Sequence, residues 1–248
     1  AATTIAQGVS FILALAYLLR RSELFQMKLE FLKIRMNELR VILKLGIPGA
    51  IQMTIAGASW LVVTFLINQY GVDVSAGNGV SIKIKDFCQL FISAMSTSAS
   101  AMIAQTLGAA LYDRAKKVTY TAMKITVAMS LVLIAVVELL APQLAALFTD
   151  DPSVRQAAVL NLRIEIVGQL FYAVFMVYHA LAIGAGHTAF AMVSSFVNCI
   201  LFRVVLAVIF NSFWGLTGVY LACMIAPASS VPLGYFYTRS NAWRRSLA

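Results

Sequence analysis

The feature that most constrains this chain is a series of seven apolar stretches, separated by short joints that hold most of its charge. A helix needs about 20 residues to cross about 30 Å of hydrocarbon. The stretches run 1–19, 45–69, 80–107, 118–140, 155–183, 189–211 and 216–237, and each is long enough to span. Within lipid, a helix satisfies its own backbone amides inside one segment, so the expected fold is an all-α, polytopic membrane helix bundle. Composition agrees: 12% of 248 residues are charged, against roughly 25% for a water-soluble domain.

The net charge of +9 does not form a nucleic-acid face, because the basic residues sit in the joints. Short cytoplasmic loops carry the Lys and Arg excess, so the joints set the orientation. Arg20, Arg21, Lys28, Lys33, Arg35, Arg40 and Lys44 lie between the first two spans, while the joint 70–79 has no basic residue. Arg114, Lys116 and Lys117 mark the joint 108–117, the joint 141–154 carries only Asp150 and Asp151, and Arg239, Arg244 and Arg245 mark the tail. This alternation places the C-terminus in the cytoplasm. The stretch 22–44 mixes charge with Leu24, Phe25, Leu29 and Phe31, which suits an amphipathic helix at the inner membrane surface. The absence of an initiator Met and of a basic n-region reads as a start inside a larger protein. Cys88, Cys199 and Cys223 stand alone in apolar runs, so neither a disulfide nor a metal site is expected, and no cofactor.

Polar residues inside spans are costly and turn towards protein or water. In the third span Asp86, Gln89, Ser93, Ser96 and Ser100 recur every three or four residues and share one helical face. In the fifth, Glu165, Gln169, Tyr172, Met176 and His179 do the same, and the second adds Gln52 and Ser59. Small residues also serve close helix packing. The functional reading is a water-accessible cavity lined by Gln52, Met53, Asp86, Gln89, Ser93, Met95, Glu165, Gln169, Tyr172 and Met176, the methionines giving adaptable apolar surface. Asp86 and Glu165 are its candidates for coupling to an ion. Lys83 lies three residues from Asp86, within pairing reach. Arg203 falls mid-span as a buried charge, expected to meet a hydrated cleft or a counter-charge in Asp86 or Glu165.

Five runs resemble the MATE (multidrug and toxic compound extrusion) family in order and spacing: LKLGIPGAIQ at 43–52, KIKDFCQLFISAMSTSASAMIAQTLGA to LYDRAKK at 83–117, LFTDDPSVRQAA at 147–158, ALAIGAGHT at 180–188 and WGLTGVYLA at 214–222. The resemblance implies a twelve-helix exporter of two six-helix lobes. Residues 1–19 would be the last helix of the N-terminal lobe, 20–44 a cytoplasmic amphipathic linker, 45–237 the six-helix C-terminal bundle and 238–248 a cytoplasmic tail. It further implies export of small amphipathic or cationic substrates in exchange for protons or sodium ions, by alternating access in a bacterial plasma membrane, with the N-terminal lobe supplying the second wall.

The chain also departs from that pattern. Relatives place acids in the helices matching the second and fifth spans, whereas this second span has none, Glu165 is the one acid in the fifth, and Tyr172 stands near the other usual position. The loop that often reads GAG plus an acid reads GAGH. Coupling through the absent lobe is therefore the alternative to Asp86 and Glu165. A lipid-linked oligosaccharide flippase of related architecture would line its cavity with several basic residues, of which Arg203 is one. A membrane enzyme using Asp86 and Glu165 as acid and base ranks below transport, because no nucleophile, metal cluster or phosphate loop accompanies them.

Overall fold

The computed structural model describes residues 2–20 and 35–244. The expected amphipathic linker helix falls mainly on residues 21–34, and the end of the tail on 245–248, both outside that range. The chain divides into two compact units, Ala1–Leu43 and Lys44–Ala248. The described elements are helical: α1 (Ala2–Arg20), α2 (Met36–Asn68), α3 (Val72–Gly108), α4 (Tyr112–Ala146), α5 (Pro152–Glu165), α6 (Gln169–Gly184), α7 (Thr188–Phe196), α8 (Val205–Ile225) and α9 (Ser230–Arg239). Among the described residues, five helical runs are long and apolar enough to cross a membrane.

Several boundaries differ from those read in the sequence. α2 begins at Met36 rather than near residue 45, running through Pro48, which removes one helical hydrogen bond. α5 and α6 form one run through a 3-10 turn at Ile166–Gly168, as the fifth span requires. The sixth and seventh spans belong to one helical run, Thr188–Arg239, interrupted at Gly215 with φ 56° and ψ −138°. That left-handed conformation suits glycine. Beyond it the chain folds back: a Cβ on Gly218 would collide with the Phe210 carbonyl, and Val219, Tyr220, Ala222 and Cys223 share a core with Ala207.

The larger unit is packed in the manner of a membrane protein. Its buried positions include many small residues, among them Ala99, Ala141, Ala145, Ala158, Ala173, Ala182, Ser59, Ser81 and Ser130. Many large apolar side chains point outward, with Leu61 74%, Leu90 64% and Leu139 77% exposed. In water such a surface drives association; in lipid it is the solvated face. Small residues let backbones approach closely. A Cβ on Gly77 of α3 would lie 2.8 Å from the Ala158 amide nitrogen of α5, and the neighbouring Ser81 hydroxyl donates to the Ala158 carbonyl at 2.9 Å.

Asp151 caps α5, accepting from the Ser153 hydroxyl at 2.7 Å and the Ser153 amide at 2.9 Å. These bonds hold its carboxyl below the usual 3.8, the side-chain bond contributing most. Because the folded value is the lower one, the cap's contribution is present above the ordinary carboxylate range and is lost as pH falls through the folded value. Acidification should therefore fray the first turn of α5. Asp151→Ala should fray it at neutral pH, while Asp151→Asn should keep the cap and lose the pH response. Amide exchange at Ser153, corrected for intrinsic rate, measures this.

Candidate functional site

The polar stripes meet within the larger unit. A cavity of about 1100 Å³ is walled by Gln52, Met53, Ala56, Trp60 and Thr64 of α2, by Lys85, Asp86, Gln89, Ser96, Thr97 and Ser100 of α3, and by Gln169, Tyr172, Met176 and His179 of α6. Glu165 at the end of α5 also lines it, as do Ser195, Asn198, Cys199 and Arg203. The α2 and α3 positions recur every three or four residues, one face of a helix. Of the residues expected on the wall, Gln52, Met53, Asp86, Gln89, Glu165, Gln169, Tyr172 and Met176 lie on it; Ser93 and Met95 do not. Ser93 donates to the Leu90 carbonyl of its own helix at 3.0 Å.

Two contacts bring α3 and α6 together. The Ser96 hydroxyl donates to the Met176 carbonyl at 2.7 Å, and a Cβ on Gly184 would stand 2.7 Å from the Ser100 carbonyl oxygen. On the other side, Ser59 of α2 donates to the Cys199 carbonyl at 2.9 Å. Gln52 donates its amide to Nδ1 of His179 at 3.2 Å, and Phe175 packs on the same imidazole with ring centroids 4.0 Å apart.

Cys199 belongs to a wide helical stretch, Val197–Val204, with π-type bonding that still links the Val205 amide to the Ile200 carbonyl. In such a helix, bonding runs to the fifth residue, so residues five apart stand above one another. Asn198 and Arg203 are five apart and both reach the cavity. In an ordinary α-helix, at about 100° per residue, they would point in clearly different directions.

The charges are arranged differently from the sequence expectation. Glu165 is paired with Lys85, Oε2 to Nζ at 2.5 Å, and both side chains are buried. The Lys85 ammonium also donates to Asn161 Oδ1 at 3.2 Å. Asn161 in turn donates to Glu165 Oε1 and to Asn78 Oδ1, each at 3.2 Å. This network fastens α3 to α5. Among the described residues, neither Lys83 with Asp86 nor Arg203 with Asp86 or Glu165 forms an ion pair; Arg203 instead lies over the Trp60 ring, 4.8 Å from its centroid. Lys85 approaches the same ring at 5.9 Å. Asp86 is exposed on the cavity wall.

Buried polar atoms in proteins almost always have partners. Here Gln169 Oε1, His179 Nε2, Asn198 Oδ1 and Arg203 Nε have none among the described residues, and all four side chains line the cavity. Lys85, Trp60, Asn161 and Asn198 were not singled out in the sequence. Lys85 and the two asparagines carried a signal as polar residues in or beside spans; Trp60, an aromatic among apolar neighbours, carried none.

The MatE family profile matches residues 48–209. The chain is 27% identical over 153 residues to the probable multidrug resistance protein YoeA of Bacillus subtilis, covering 60% of this chain and 33% of that protein. It is 24% identical over 242 residues to the multidrug export protein MepA of Staphylococcus haemolyticus, covering 96% of this chain and 52% of that one. Among solved structures, the Vibrio cholerae MATE transporter VcmN, in a point-mutant form, superposes with a TM-score of 0.86 at 20% identity, over 98% of this chain and 56% of that chain. The chain spans about half the length of MepA and a third of YoeA.

Proposed function

This chain belongs to the MatE family, and on that premise we propose that it forms one lobe of a multidrug exporter of the bacterial plasma membrane. On this reading amphipathic or cationic compounds leave the cell against an inward flow of protons or sodium ions. Residues 45–237 are assigned to the six-helix lobe, 1–19 to the last helix of the other lobe, 20–44 to a cytoplasmic linker and 238–248 to a cytoplasmic tail. The other lobe supplies the second wall of the cavity, and rocking of the two lobes gives alternating access.

The observation that carries this reading is the convergence of polar and soft apolar side chains from α2, α3, α6 and the π-helical stretch on one cavity of about 1100 Å³, in a chain related to drug exporters. A cavity of that size, mostly apolar with a few convergent polar groups, suits drug-sized molecules. Asp86 and Glu165 are the carboxylates proposed to couple the ion. Asp86 is exposed on the wall; Glu165 is held by Lys85, so that pair competes with a proton or sodium ion for the carboxylate.

The test is efflux of ethidium from exporter-deficient bacteria expressing the complete gene. Collapsing the gradient of the coupling ion, proton or sodium, should reduce efflux to the level of cells lacking the gene, and Asp86→Asn should slow it. Efflux indifferent to both gradients would remove antiport from the account.

A further inference from the structure

We infer that Arg203, with Asn198 and Lys85 beside it, forms a subsite for the anionic head of an amphipathic ligand, a carboxylate or a phosphate on an apolar body. This rests on the exporter reading and names the ligand chemistry of one end of its cavity.

The first support is the charge balance. Lys85 and Glu165 neutralise each other through their direct pair. Arg203 is 8% exposed, and among the described residues it makes neither a hydrogen bond nor an ion pair; its contact is the face of Trp60. Cys223 lies within electrostatic range of Lys85, Glu165 and Arg203 together. The buried cluster therefore holds two positive charges and one negative. Stacking on a single ring offsets only part of the cost of a guanidinium in hydrocarbon. A guanidinium presents a planar fork of donors matched to carboxylate and phosphate oxygens. An anion entering here gives Arg203 the direct partner it lacks, since Asp86, exposed on the same cavity wall, forms no ion pair with it.

The second support is the backbone. The π-helical stretch is a local departure from the α-helix on either side, and departures of this kind concentrate at functional sites. Its effect is to stack Asn198 and Arg203 on one wall. Arg203 alone would satisfy a packing account, but not with Asn198 Oδ1 and Gln169 Oε1 also unpartnered on the same cavity. Those two amides offer hydrogen bonds to the hydroxyl or amide groups that flank an acidic head. Asp86 does not fill the subsite: Tyr172 lies within range of both Asp86 and Arg203, yet the two charges form no ion pair.

The experiment uses the complete gene product in lipid nanodiscs and the fluorescence of Trp60, taken as the difference between the parent and Trp60→Phe. The probes are octanoate, octyl phosphate and octyltrimethylammonium, which share one tail and differ in head. At least one anion should perturb Trp60 at about tenfold lower concentration than the cation, as a charge-assisted contact provides. Whichever anion binds more tightly distinguishes a carboxylate from a phosphate ligand. Arg203→Gln should abolish the preference and Arg203→Lys should keep part of it. Lys83→Gln, an exposed position off the cavity wall, should change nothing. Equal affinity for all three heads overturns the subsite, and needs no variant to show it; so does an anion preference that survives Arg203→Gln. Gradient-driven ethidium efflux without anion preference defeats the subsite alone, whereas anion preference without efflux defeats the exporter reading and leaves the subsite standing.

Discussion

Lys85→Met should lower the stability of this protein by about 3 kcal/mol or more and abolish transport, because it strands the Glu165 carboxylate in the interior. Glu165 is buried and its direct charge partner is Lys85. Asn161 then remains as its neighbour, offering one neutral donor in place of an ammonium. The double variant Lys85→Met, Glu165→Gln removes both charges, so most of the lost stability should return. Transport should not return if Glu165 couples the ion. Unfolding midpoints in detergent, read beside efflux, separate these outcomes. A Lys85→Met protein as stable as its parent would mean that the pair does not hold α3 to α5.

The second large effect is expected at Gly184. A Cβ there would stand 2.7 Å from the Ser100 carbonyl oxygen and 3.0 Å from the Ile103 side chain. Backbone cannot yield as a flexible side chain does, so Gly184→Leu must push α6 away from α3. Overpacking of this kind costs about 1–3 kcal/mol. The functional loss should exceed the stability loss, because these two helices carry Asp86, Gln89, Tyr172 and Met176 on facing walls. Gly79→Ala in α3 is the matched comparison. Nothing lies within 4 Å of a Cβ at that position, so this change should be neutral or slightly stabilising. Folded yield and efflux of the two variants check the contrast.

Much of the fold was legible because the membrane imposes length and hydrophobicity on every span. The break between the last two spans showed in the polar Asn211 and Ser212 and in Gly215, which takes the left-handed turn. The α3 stripe was legible from Asp86, Gln89 and Ser96, because a helical period puts them on one face. Lys85 stands four residues before Gln89, at the edge of the same stripe and about 100° from Asp86, so its place on the wall was within reach of the same period. Its pairing with Glu165 needs the packing of α3 on α5, which no local pattern encodes. Arg203 was recognised as a buried charge, but its surroundings depend on the π-helical stretch, and VNCILFRV carries no simple marker of that geometry. Trp60 looked like any other apolar residue of α2 until the fold brought two cations to its ring.

The face of α3 carrying Asp86, Gln89, Thr97 and Ser100 is proposed to border the path of the transported compound. Thr97 and Ser98 test it most directly, because they are neighbours in sequence and only Thr97 lines the cavity. Single cysteines at each position, in the complete exporter with Cys88, Cys199 and Cys223 replaced by serine, would be treated with a water-soluble thiol reagent with and without a transported dye. Thr97→Cys should react and be protected by the dye, while Ser98→Cys should react slowly and show no protection. Equal reactivity at both positions, or no protection at Thr97→Cys, would contradict it.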